Sequence, residues 1–95
     1  MKKEKLLIFI VAYNHEKTIE KVVNRIPKKL FNLYDLEILI IDDASKDRTF
    51  VISKKIKAKY KKNNSFKINI FYNPINQGYG GNQKIGYHYA IKNKF

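Results

Sequence analysis

Two patterns in the 95-residue sequence predict an α/β fold: a mostly parallel sheet with helices on both faces, in the order β-α-β-α-β-α. Apolar runs suited to strands alternate with stretches of helical period, an order that implies right-handed crossovers. The chain's unusual polar residues also gather after each run, at the carboxyl ends of the strands, where open α/β sheets bind their ligands.

Leu6 to Ala12 is a continuous apolar run with β-branched and aromatic members, the pattern of a strand buried on both faces. From Glu16 the period changes. Ile19, Val22, Val23 and Ile26 fall at i, i+3, i+4 and i+7 on one helical stripe, with Asn14 as the expected cap and Pro27 near its end. Lys28 to Asp35 reads as a connection, and Leu36 to Ile41 as a second buried strand. Asp42 to Asp47 form a turn, in which Ser45 or Asp47 caps a helix running from about Thr49 to Lys62. Val51, Ile52, Ile56 and Tyr60 are its expected apolar side, and Lys61 to Ser65 a polar loop. Phe66, Ile68, Ile70 and Tyr72 alternate as a third strand nearer a sheet edge. Asn73 to Gly81 reads as a long loop before a helix from about Asn82 to Lys92, where Gly86 and Ala90 would permit close packing.

A chain of this size makes at most one small domain. Without cysteine, disulfides and thiolate metal sites are excluded, which fits a cytoplasmic setting. The basic start and short apolar run lead into Tyr13-Asn-His-Glu16 rather than small cleavage-site residues, and no stretch approaches a membrane span. The expected protein is soluble, or peripheral at the inner face of the membrane. A net charge of +12 raises nucleic acid or an anionic membrane as partners. Lysine is abundant throughout, however, and arginine occurs only at Arg25 and Arg48, so no specific nucleic-acid partner is expected. His15 and His88 lie on different elements without the spacing of a zinc site, and the glycine segment has neither the Walker A nor the dinucleotide pattern.

Asp42 and Asp43 end the most hydrophobic run of a chain poor in acids. Adjacent carboxylates repel and lose solvation, so a buried pair needs donors or a cation. Ile40-Ile-Asp-Asp-Ala-Ser-Lys-Asp-Arg-Thr49 resembles the "VDDGSxDxT" motif of inverting family 2 glycosyltransferases with the GT-A fold. Val11-Ala-Tyr-Asn-His-Glu16 is similar to their "PAYNE" segment, and Asn76 to Gly86 to their "NxGxGxAxxxG" segment. The three segments occur in the family order, each after an expected strand. The closest likeness is to the polyprenyl-phosphate, dolichol-phosphate mannose synthase-like branch.

That resemblance implies the N-terminal, nucleotide-binding half of a GT-A (Rossmann-like) domain, with a UDP- or GDP-sugar as donor and a lipid phosphate or glycan as acceptor of the hexose. By matched position, Asp43 would accept a hydrogen bond from the nucleotide base, with Ile41 beside the base and Asp42 shaping the turn. Val11, chiefly through its backbone, and Tyr13 would contact base and ribose, with Ala12 between them in the nucleotide-sugar site, and Glu16 would stand in for the family glutamate, whose place His15 holds. Gly78, Gly80 and Gly81 would let the backbone approach the nucleotide, with Lys84 near the diphosphate. Val11 replaces the family proline, and Asn82 the alanine of the third segment.

The family's Mg²⁺ or Mn²⁺ is held by an Asp-x-Asp on the next strand, and no such pair occurs here. Residues 1–95 are therefore expected to be a partial domain truncated before that strand, lacking metal ligands and catalytic residues, inactive alone and prone to homo-oligomerise through an uncovered sheet. Two other readings compete. A receiver-like signalling domain would use the paired acids to hold Mg²⁺ for phosphoryl transfer. A basic module carried by Lys54 to Lys62 would bind membrane or nucleic acid, but by itself explains neither the aspartates nor the glycines.

Overall fold

The computed structural model describes residues 2–61 and 66–95. Strands β1 (Lys5–Ala12), β2 (Asp35–Asp42) and β3 (Lys67–Tyr72) form one parallel sheet in the order β1-β2-β3. Helices α1 (Ile19–Asn24), α2 (Lys29–Leu33), α3 (Thr49–Lys61) and α4 (Gly78–Lys92) connect or follow them. The expected α/β architecture is present, with helices on both faces.

Alternation along the strands divides the core. Leu36, Ile38 and Ile40 of β2 point into one cluster with Ile19 and Val23 of α1, Ile56 of α3 and Ile68 of β3, all buried. Leu39 and Ile41 face the opposite side, where Gly86 of α4 meets β1. A Cβ at Gly86 would lie 3.0 Å from the ring of Phe9, so the absent side chain is what lets helix and strand approach. The lower end of α4 is tied to β1 by the Lys5 ammonium, which donates to the Asn93 carbonyl at 2.7 Å, a cation at a helix carboxyl end.

The structure differs from the pattern expected of the sequence in five places. The strand buried on both faces is β2; β1 is an outer strand whose residues from Leu6 to Ile10 are only half-buried, since among the described strands it has one neighbour. The connection after Pro27 contains the five-residue α2, too short for a periodic signal. On α3 the buried positions are Thr49, Ser53 and Ile56, while Val51 is exposed; Ser53 is accommodated because its hydroxyl donates to the Thr49 carbonyl at 2.8 Å. Asn14 does not cap α1, whose N-cap residue is Thr18. Finally, α4 begins at Gly78, four residues earlier than glycine's low helix propensity suggests. Of the expected polar loop from Lys61 to Ser65, Lys61 ends α3 and residues 62–65 lie outside the described residues.

Candidate functional site

The carboxyl ends of the three strands bring together the segments 13–16, 42–49 and 73–82. Side-chain to backbone hydrogen bonds join the first two. Asn14 takes φ 53° and accepts from the Lys46 N–H at 2.9 Å, while its own N–H donates to Ser45 Oγ at 2.9 Å. The His15 N–H donates to Thr49 Oγ1 at 2.8 Å, and the Glu16 N–H to Asp47 Oδ2 at 3.2 Å. Asp47 also accepts from the N–H and hydroxyl of Thr49 at the start of α3, as the sequence led one to expect of a cap. Burial pushes the Asp47 carboxyl up, but the Thr49 hydroxyl, the Thr49 and Glu16 N–H groups and its own N–H outweigh it and hold the group below the usual range.

Between these bonds Ala44 takes φ 62°, a left-handed conformation that costs a non-glycine residue about 1–2 kcal/mol. Ala44→Gly is expected to stabilise the domain by about 1 kcal/mol, read as a higher urea midpoint at unchanged slope.

Asp42 and Asp43 are both buried, at 0% and 3% exposure, and have different surroundings. Asp42 Oδ1 accepts from the Ser45 N–H at 3.0 Å and closes the turn; its Oδ2 is buried without a hydrogen-bond partner among the described residues. The Asp43 carboxylate sits at the amino end of α4. Its Oδ1 accepts from the Gln77 N–H at 2.7 Å and the Asn73 amide at 3.0 Å, and its Oδ2 from the Gly78 N–H at 3.1 Å. Burial alone would raise its pKa. The Gln77 N–H, the Asn73 and Asn82 amides and the Gly78 N–H together outweigh that, and the group stays below the ordinary aspartate range. This capping from a neighbouring strand is what starts α4 early. Gly78 takes φ 71°, where glycine is favoured.

Three asparagines complete the arrangement. The Asn73 amide also donates to Asn82 Oδ1 at 2.8 Å, Asn82 donates to the Gly78 carbonyl at 2.8 Å, and Asn76 Oδ1 accepts the Gly78 N–H at 3.0 Å. Neither Asn73 nor Asn76 is among the expected site residues, and Asn82 stands where the family segment has alanine. The available signal was an asparagine at a helical position one turn after the first glycine, where an amide bonds back to the i−4 carbonyl.

A cleft of about 510 Å³ opens over this floor. Of the expected site residues it brings together Val11, Tyr13, Asp43 and Gly78, joined by Phe9, His15, Tyr79, Asn82 and Gln83. The others lie elsewhere. Ala12 and Ile41 are fully buried in the sheet and offer a ligand no side-chain surface. Glu16, Gly80, Gly81 and Lys84 are not among the lining residues; Gly80 and Gly81 are helical, and a Cβ at Gly81 would meet that of Gln77 at 2.9 Å.

The match to known sequences decides the family: the pattern of glycosyl transferase family 2 fits residues 7–92, nearly the whole chain. The chain belongs to this family. The three-stranded parallel sheet is compatible with the N-terminal half of a GT-A domain. Among its relatives is an uncharacterised glycosyltransferase of Mycoplasma genitalium, 46% identical over 52 residues, which are 55% of this chain and 18% of that protein. Another is the UDP-N-acetylglucosamine–dolichyl-phosphate N-acetylglucosaminyltransferase of Methanococcus voltae, 44% identical over 54 residues, 56% of this chain and 20% of the relative. The match thus spans about a fifth of the length of these relatives. No solved structure gives a significant match.

Family 2 glycosyltransferases generally use divalent metals. The residues of this site do not fit one. The Asp43 oxygens face N–H donors, whose hydrogens repel a cation, and no three His, Cys, Asp or Glu side chains converge among the described residues. With both Asp43 oxygens taking N–H donors, the aspartate pair is not part of any converging set of three acids for a receiver-like Mg²⁺ site among the described residues. No described helix is long and apolar enough to cross a membrane.

Proposed function

We propose that the cleft holds the nucleoside diphosphate of a sugar donor, within a glycosyltransferase that moves a hexose to a lipid phosphate or glycan. The observation that carries this reading is Asp43. By hydrogen-bond geometry Oδ1 takes two donors and Oδ2 one, so the carboxylate, which the Asn82 amide also stabilises, has its remaining acceptor capacity on Oδ2 beside the cleft. The ring N–H of a uracil or guanine is the donor suited to it. Val11 and Tyr13, 36% and 43% exposed, offer apolar and aromatic surface to base and ribose. The UDP-N-acetylglucosamine in the name of the Methanococcus relative supports uridine over guanosine, and its dolichyl phosphate supports a lipid-phosphate acceptor. Attachment at the cytoplasmic face of a membrane would bring the domain to such an acceptor.

Calorimetric titration of the chain with UDP-N-acetylglucosamine, UDP-glucose and GDP-mannose tests the assignment. Saturable binding of the uridine donors, lost in a folded Asp43→Asn variant, is expected. If folded wild-type protein takes up none of the three at millimolar concentration, the cleft is not a donor site.

A further inference from the structure

The lysines of α3 serve neither the core nor the cleft. Lys54, Lys55, Lys57, Lys59 and Lys61 are all exposed, and the helix carries no Asp or Glu. Among the described residues the ion pair they make is that of Lys59 with the exposed Glu20, at 3.9 Å. At about 100° per residue, Lys54, Lys57 and Lys61 fall within an arc of about 60°. That arc faces the outer edge of β3. Phe50, on the same side, meets Tyr72 edge-to-face at 5.3 Å and lies 5.0 Å beneath the Lys54 ammonium. Lys57 and Lys61 share with Lys67 a shallow cleft of about 230 Å³, lined also by Phe66 and Ile68.

We infer that this face, Lys54, Lys57, Lys61 and Lys67 with the rings of Phe50 and Tyr72, docks on an anionic phospholipid surface. Ammonium groups on long apolar stems reach headgroup phosphates while the stems and neighbouring rings lie against the interface. Tyr72 is 47% exposed and so presents an amphipathic ring at that level. Nucleic acid suits the face less well, because bidentate base reading uses arginine and the arc has none. The inference goes beyond the donor site and stands independently of it.

Co-sedimentation of the full chain with phosphatidylglycerol–phosphatidylcholine vesicles tests it, beside pure phosphatidylcholine and over a range of salt. Binding confined to the anionic vesicles and weakened by salt is expected. The triple variant Lys54→Glu, Lys57→Glu, Lys61→Glu should lower the partition coefficient about tenfold or more, with nucleotide titration unchanged. A control triple, Lys3→Glu, Lys21→Glu, Lys92→Glu, removes the same charge from other segments and should keep most of the binding. Should charge reversal unfold the protein, the matching Lys→Gln triples replace both. The proposal is overturned if wild type shows no preference for anionic vesicles, or if the two triples lose binding equally. It is also overturned if an RNA duplex competes the chain off the vesicles through the same lysines at lower phosphate concentration.

Discussion

Asp43→Ala is expected to abolish donor binding and to destabilise the domain by about 2–4 kcal/mol. The alanine leaves the Gln77 N–H, the Gly78 N–H and the Asn73 amide without their shared acceptor, and an orphaned buried donor costs about 1–3 kcal/mol. Asn76 and Asn82 retain partial partners for Gly78 and Asn73, which keeps the sum below three full penalties. Urea denaturation by circular dichroism measures the loss. Acid should reproduce part of it in the wild type. Because the folded carboxyl lies below its ordinary 3.8, the group's contribution is complete above that value and disappears as pH falls through the folded pKa. A wild type and an Asp43→Ala variant with equal stability at neutral pH would refute the capping role.

Ile40→Ala should remove about 2–5 kcal/mol. Ile40 is fully buried on the central strand, with Ile10 and Ile70 as its neighbours in the sheet register, and opens a cavity among residues of four elements. A domain of this size has a total stability of about 5–14 kcal/mol, so the variant gives up a large fraction of it and should melt well below the wild type. Thermal denaturation checks this, and a shift of only a few degrees would show that the site collapses onto the cavity. The effect should extend to the cleft, because β2 ends at Asp42 and leads directly into Asp43.

The elements legible in the sequence were those with an unbroken apolar run or a clear period: β1, α1, β2, α3 and the alternating β3. What stayed hidden depends on bonds between distant segments. Asn14 looks like a helix cap because an asparagine before an amphipathic stretch usually is one, yet its side-chain amide oxygen accepts from the Lys46 N–H, thirty-two residues away. The early start of α4 was equally invisible, since three glycines weaken a helix and the capping carboxylate comes from another strand. Of the matched positions, Val11, Tyr13, Asp43 and Gly78 line the cleft. The burial of Ala12 and Ile41 was not legible because alternation along a strand says which residues share a face, and not how completely that face is covered.

The bonds around the cleft have a kinetic consequence. Asn14 to Ser45 spans 31 residues and Asp43 to Gly78 spans 35, so each closes only after the chain has surrendered the entropy of a long loop. High contact order of this kind slows folding, and it makes the rim a late event that follows pairing of the sheet. A small molecule held there would bind the finished domain alone and draw the whole folding equilibrium toward it. Raised melting temperature would then report occupancy of the rim, with no need for a turnover assay.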